Sequence, residues 1–230
     1  VVFNGNLIFG SSGQDIASGS LNQQSSSVAY NQNREKVFVC FESQTGAETD
    51  LNCKEINLSN QGVGETIVIS SHDFNQNNPF VYWSGNSYLI AWEDSRNSSG
   101  TSPEADIYFQ EYKNGEFSFA FGGTNITSFT QKQENPIITK SSNSDNSYVI
   151  LWEDYRSTGK EFCANLYGQS FTSESCPNIG DCNSDGTWNV LDIVNLANCV
   201  LAQDCPTTSC ACVGDINGDG AYNVLDIVIL

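Results

Sequence analysis

Two stretches near the C-terminal end hold oxygen-bearing side chains at a spacing suited to a hard cation. From Asp181 the sequence reads DCNSDGTWNVLD, and from Asp215 it reads DINGDGAYNVLD, an offset of 34 residues. Both place Asp at positions 1, 5 and 12, Asn at 3 and 9, and Gly at 6. Calcium takes roughly six to eight oxygen ligands, so the chain that supplies them must wrap tightly. Positions 1, 3 and 5 turn their oxygens inward, Gly at 6 permits the sharp turn, position 7 offers a carbonyl, and position 12 brings a carboxylate from the next helix. One site is therefore expected from Asp181, Asn183, Asp185, Thr187 through its carbonyl, and Asp192. The other is expected from Asp215, Asn217, Asp219, Ala221 through its carbonyl, and Asp226, making two calcium ions in all. At position 9, Asn189 and Asn223 are expected to act through water. Plain polar turns would not need the same twelve-residue spacing twice, each followed by an apolar run.

A second constellation, W-E-D-x-R, occurs around Trp92 and again around Trp152. An acid pair beside an Arg suits catalysis or sugar binding. Repetition favours a scaffold instead, because catalytic groups converge on one site whereas repeated groups are spread over successive units. The expectation is that Trp92 and Trp152 pack between sheets while Asp94 with Arg96, and Asp154 with Arg156, brace equivalent turns. No catalytic residue is assigned, and His72, the only His, is expected in a surface loop. The nine Cys form no C-x-x-C pair, so disulfides in an oxidising compartment are expected rather than zinc. Cys40 and Cys53 flank a hairpin centred near Gly46 and are expected to be bonded; the other pairings stay open.

The elements that must position these groups differ along the chain. Each calcium loop is followed by an amphipathic helix, with Val190, Ile193, Val194, Ala197, Val200 and Leu201 in the first and Val224, Ile227 and Val228 in the second. Trp188 and Tyr222, at position 8, are expected to meet across a short β-contact in a small common core. Before about residue 173 the signal is self-similarity. NGNLIFGSSGQDIASGSLNQQ from Asn4 aligns without gaps on NGEFSFAFGGTNITSFTQKQE from Asn114, an offset of 110 residues, or two units of about 55. LIAWEDSRN recurs as VILWEDYRS, DIYFQ as NLYGQ, and VFVCFESQ with DLNCKEI is the same pair one unit earlier. Each unit reads as four short strands: a run such as NPFVYW, an apolar strand ending in W-E-D, a DIYFQ strand, and a strand such as ETIVIS or FSFAF. Residues 1 to 20 are expected to supply only a final strand, and the third unit to lack its fourth.

The duplicated D-x-N-x-D-G-x-x-N-x-x-D with an exiting helix resembles the type I dockerin module, over residues 176 to 230. That resemblance implies paired calcium loops and a protein partner of the cohesin kind. Its partner-recognition positions 10 and 11 are usually small hydroxyl residues, and here they are Val190, Leu191, Val224 and Leu225. The W-E-D-x-R and D-I-Y-x-Q pattern resembles the propeller-like repeats of secreted bacterial proteins. The expected fold is thus mainly β: antiparallel four-stranded, propeller-like blades over residues 1–173, then a small α-helical, duplicated calcium-loop and helix module over 174–230. About three blades' worth of strands is too few to close a ring. Three arrangements follow: a piece of a longer propeller, two chains completing six blades, or an N-terminal strand filling the vacant edge of another copy and building filaments.

Composition sets the outer limits. With 27 acidic and 9 basic side chains the net charge is −18, which excludes nucleic acid as a partner. Half of it lies beyond Lys160, the last basic residue. No stretch approaches the roughly 20 apolar residues of a membrane span. Because the sequence contains no Met and opens without a basic stretch followed by an apolar one, a processed or trimmed form is expected. The expected function is an extracellular, non-catalytic structural or adhesion protein that attaches through its calcium module or self-assembles; the partner is a cohesin-like module or another copy, with polysaccharide a further candidate. The alternative is a fragment of a secreted carbohydrate-active enzyme with an anchoring module.

Overall fold

A computed structural model describes residues 2–3, 6–7, 13–19, 22–98, 104–141, 147–156, 164–172, 180–183, 185–205, 208–210, 213–214, 216 and 222–229. The chain divides into two compact units, Val1–Thr172 and Ser173–Leu230. The first is mainly β with every strand pair antiparallel.

Among the described residues its strands form a short hairpin and then three antiparallel sheets in succession along the chain, two of five strands and one of three, rather than uniform units of four. A short hairpin, β1 (Val2–Phe3) with β2 (Asn6–Leu7), comes first. The first repeat holds β3 (Gln23–Asn31), β4 (Lys36–Thr45), β5 (Glu48–Asn57) and two short strands on the far edge of β5, namely β6 (Gly62–Val63) and β7 (Ile67–Ser70). The second holds β8 (Gln76–Trp83), β9 (Tyr88–Asp94) and β10 (Asp106–Lys113), again with two short strands, β11 (Glu116–Phe117) and β12 (Thr124–Asn125), on the edge of β10. The third is the three-stranded sheet β13 (Gln133–Lys140), β14 (Ser147–Asp154) and β15 (Asn165–Thr172). The sheets pack in series, the first repeat against β8 and the second against β13. No closed ring or barrel forms among the described residues.

Each contact between repeats buries one apolar layer. Phe38, Leu51 and Ile69 meet Val81, Ile90 and Trp92 between the first two repeats; Leu89, Ala91 and Ile107 meet Ile138, Ile150 and Trp152 between the last two. β9, covered on both sides, is buried at every residue, whereas β14 alternates buried and half-buried positions.

Two expectations about the fourth strand change. FSFAF was to be a strand, yet only Glu116–Phe117 pairs with β10 before the chain bends away. The buried Gln110 side chain replaces the ladder there: its Oε1 accepts from Phe119 N at 3.0 Å, and its Nε2 donates to the carbonyls of Phe119 and Ala120 at 3.1 Å. A side-chain amide can satisfy both a backbone donor and a backbone acceptor, so it competes with regular pairing. The N-terminal segment, expected as a single strand, has the β1–β2 hairpin instead. Its register, Val2 with Leu7 and Phe3 with Asn6, is that of Tyr112 with Phe117 and Lys113 with Glu116 at the aligned place 110 residues later. Asn114 and Gly115 take φ of +50° and +91° at that second turn, the left-handed pair a two-residue hairpin requires. The same Asn-Gly pair stands at positions 4 and 5.

The second unit contains α1 (Val190–Ala202) and α2 (Val224–Ile229) around a small core of Leu196, Val213 and four Cys.

Candidate metal centre

The loop from Asp181 to Asp192 is folded by its own acids. Asp181 Oδ1 accepts from Asp185 N at 3.1 Å and its Oδ2 from Gly186 N at 2.9 Å. Asp185 Oδ1 accepts from Thr187 N at 2.9 Å and Thr187 Oγ1 at 2.6 Å, while its Oδ2 accepts from Asn183 Nδ2 at 2.8 Å. Gly186 at position 6 adopts φ +84°, a conformation that only Gly takes without strain. These hydrogen bonds hold the exposed Asp185 carboxyl below the ordinary carboxylate range, with the Thr187 and Asn183 side chains contributing most.

Asp192 is fully buried at the start of α1. It accepts from Asn183 N at 3.0 Å and from Asn189 N at 2.9 Å, while Asn189 Oδ1 accepts from Leu191 N at 2.9 Å. This is a capping box: Asn189 satisfies an orphan amide of the first turn, and Asp192 reaches back to the cap. Asn189 is therefore the helix N-cap, a role that the expectation of a water-mediated ligand did not contain. The second loop repeats the arrangement where it is described. Asn223 Oδ1 accepts from Leu225 N at 2.8 Å, and the buried Asp226 accepts from Ile216 N at 2.9 Å and Asn223 N at 3.0 Å. Asp215, Asn217, Asp219 and Ala221 lie outside the described residues.

The donor set suits a hard divalent cation. The first loop offers carboxylates, an amide oxygen and a carbonyl, and its one soft atom, the sulfur of Cys182, is bonded to Cys210. Among the described residues no three Asp, Glu, Cys or His side chains stand together as a cage, so the oxygens of Asn183 and Thr187 must complete any coordination here.

The helix faces differ from the expected ones. On α1 the buried positions are Asp192, Leu196 and Cys199, while Val190, Val194 and Leu201 are exposed. The cause is the position-12 Asp: once it must face the loop, the residues four and seven further on turn inward with it, and Val190, Val194 and Leu201, which share the other face, turn out. Trp188, expected in a shared core, is 69% exposed; Tyr222 packs against the core, which the disulfides Cys182–Cys210 and Cys199–Cys205 fill instead. Cys163, Cys176 and Cys212 lie outside the described residues.

The W-E-D-x-R groups are far from this loop in sequence and engaged in the β-repeats. Trp92 Nε1 donates to Asp94 Oδ2 at 2.8 Å and Arg96 Nε to Asp94 Oδ1 at 2.9 Å; Trp152 and Arg156 hold Asp154 at 2.9 and 2.8 Å. Both Asp side chains are fully buried. Burial pushes the Asp154 carboxyl up, but the hydrogen bonds from Arg156 and Trp152 outweigh it and hold it below the ordinary range. The Glu between them does something the sequence reading missed: Glu93 accepts from Asn135 N, in the next repeat, at 2.7 Å, and Glu42 accepts from Asn78 N at 2.8 Å. The available signal was the recurrence of a Glu, Glu42, Glu93 and Glu153, at the same place on the second strand of each repeat. Cys40 and Cys53 are bonded on facing residues of β4 and β5, with Cα atoms 4.0 Å apart.

No curated protein matches the chain. Residues 179–230 match the dockerin type I domain, so the last quarter of the chain is similar to modules of a type that binds calcium.

Proposed function

We propose that the protein is an extracellular, non-catalytic attachment protein whose C-terminal module, folded around calcium, docks a protein partner of the cohesin kind. Asp181, Asn183, Asp185, Asp192 and the Thr187 carbonyl hold one ion; Asp215, Asn217, Asp219, Asp226 and the Ala221 carbonyl hold the other. Bound calcium neutralises the clustered carboxylates and stabilises the turn that places each exiting helix. The observation that carries the reading is the phase set by the two buried Asp. With Asp192 and Asp226 turned in, Val190, Leu191, Val224 and Leu225 are left 66%, 57%, 61% and 56% exposed, a duplicated pair of apolar residues at the heads of both helices. Paired apolar residues in solvent are costly unless a partner covers them. Apolar contact replaces the hydroxyl contacts usual in this family.

In the same reading the β-repeats are a spacer that can also self-associate, and their W-E-D-x-R acids are structural: Asp94 and Asp154 are each held by a Trp and an Arg, with no oxygen free for a substrate-side role. Glycan-hydrolysis assays address the enzyme alternative directly.

The test is calorimetric titration of the full chain, first with calcium and then, calcium-loaded, with a panel of cohesin modules. Two calcium equivalents are expected, with cohesin binding abolished by EDTA and weakened at least tenfold by Leu191→Asp with Leu225→Asp. Calcium binding with a stoichiometry unchanged by Asp185→Ala would refute the ligand assignment, and cohesin binding indifferent to the double substitution would refute the docking face.

A further inference from the structure

The two contacts between successive repeats are built from the same parts. At each, a Glu on the second strand of one repeat accepts a backbone N–H from the first strand of the next: Glu42 from Asn78, Glu93 from Asn135. The donors are bulge residues. The β8–β9 register shifts between Asn77 and Phe80, the β13–β14 register between Glu134 and Ile137, and Asn78 and Asn135 take φ of +47° and +56°. A bulge turns an amide out of its own ladder, so the neighbouring carboxylate supplies the acceptor. Beside it an apolar face closes: Val81 on β8 is 4% exposed against the first repeat, and Ile107 on β10 is fully buried against the third.

Both halves of this contact are present again, unmatched, on the outer repeats. β3 carries the bulge: its register with β4 shifts between Gln24 and Ser27, and Ser25 has φ +50°. Val28, at the place of Val81, is 62% exposed, and Tyr30 is 51% exposed. On the third repeat, Glu153 stands at the place of Glu42 and Glu93, half-buried, and accepts no bulge amide among the described residues. Around it Val149 and Leu151 are half-buried, and Leu166, at the place of Ile107, is 71% exposed.

We infer that the third repeat of one molecule packs on the first repeat of a second copy, with Glu153 accepting the Ser25 N–H and with Val28 and Tyr30 covering Val149, Leu151 and Leu166. The occupant follows from continuity. The face the third repeat offers is the face that the second offers to β13, and the face β3 offers is the face that β8 offers to the first repeat. The two patches are not self-complementary, so the contact is head-to-tail, giving either a closed pair of copies or an extending row. This deepens the self-association part of the proposed function and makes no use of the calcium loops.

Sedimentation velocity of the full chain tests it, from about 1 to 100 μM, a range that spans the affinities of modest interfaces. The wild type is expected to associate as concentration rises, and Val28→Glu, Glu153→Ala or Leu151→Glu to weaken association at least tenfold. An equimolar mixture of Val28→Glu and Leu151→Glu is expected to regain a heterodimer, because one intact face remains on each. Near-ultraviolet circular dichroism at low concentration identifies a variant that has not folded, and Glu153→Ala, which removes a half-buried side chain only, serves if Leu151→Glu fails. A wild type that stays monomeric throughout, or a mixture no more associated than its components, overturns the contact. Association that follows calcium and ignores all three substitutions belongs to the C-terminal module; it overturns this contact and leaves the attachment reading standing.

Discussion

At the scale of single residues, the W-E-D-x-R pattern shows what repetition reveals and what it conceals. The Asp and Arg roles were legible, because two groups of opposite charge two residues apart, in both the second and the third repeat, can brace a turn without reference to anything distant. The Glu role was not, since its partner is a backbone amide 36 or 42 residues away, released by a bulge whose Asn-Pro pair, at 78–79 and again at 135–136, reads equally well as a strand start. The Asp brace makes a pH prediction. The ordinary Asp value is 3.8, and Asp154 lies below it in the fold, held there by Arg156 and Trp152. A depressed carboxyl stabilises the fold at every pH above its ordinary value, and that stability is lost as pH falls from 3.8 through the depressed value. Asp154→Asn keeps the shape but removes the charge, and should cost about 2 kcal/mol at neutral pH, the worth of charge-assisted hydrogen bonds at a mostly buried site. Urea midpoints measured from neutral pH down to about pH 2.5 should show wild type and variant converging below 3.8. A gap that stays constant would mean that the carboxylate charge contributes nothing.

At the scale of elements, one cross-strand slot recurs in all three repeats and is filled three ways. Cys40 faces Cys53, Ala91 faces Phe109, and Leu151 faces Gly168. A disulfide, a small and large pair, and a large and absent pair occupy the same space, and a Cβ on Gly168 would meet Leu151 Cδ2 at 2.5 Å. The ladder keeps its register whichever pair fills the slot, which is why the repeats could be read from alternation and turn residues. The broken fourth strand could not be read that way, because Gln110 replaces its ladder from the side. Helix α1 gives the complementary lesson: its existence was visible in the apolar spacing, but its phase was set by a polar residue, Asp192, whose burial outranks the exposure of Val190 and Leu201. Asn189 closes the same device. Asn189→Ala should lower the stability of the C-terminal unit by about 1 kcal/mol, while Asn189→Ser, which still caps, should recover most of it. Thermal melting at saturating calcium checks this, and equal losses for Ala and Ser would show that capping is not what Asn189 supplies.

At the scale of the molecule, the charge of −18 is divided between two units held together by different means. The first has extensive apolar layers and a disulfide, Cys40–Cys53, buried within one of them. Among its described residues the second has a core of six buried residues, four of them Cys, and no basic residue follows Lys160 to offset its carboxylates. Small cores need covalent or metal support, and this one has Cys182–Cys210 and Cys199–Cys205 with calcium expected beside them. The two supports separate in a two-by-two experiment. A ligand at a thousandfold excess over its Kd stabilises the state that binds it by about 4 kcal/mol, so EDTA should lower the melting transition of residues 173–230 by many degrees. It should leave the transition of residues 1–172 in place, because the calcium loops lie wholly in the other unit. Reductant should lower both, since each unit contains a disulfide. EDTA with reductant should abolish the C-terminal transition, whereas the β-repeats should still melt cooperatively on their apolar layers. Scanning calorimetry under the four conditions reads this out. A chelator that shifts the β-repeat transition as far as the other would place a metal in the first unit and overturn the division of labour, and one that shifts neither would remove calcium from the account of how the second unit holds its fold.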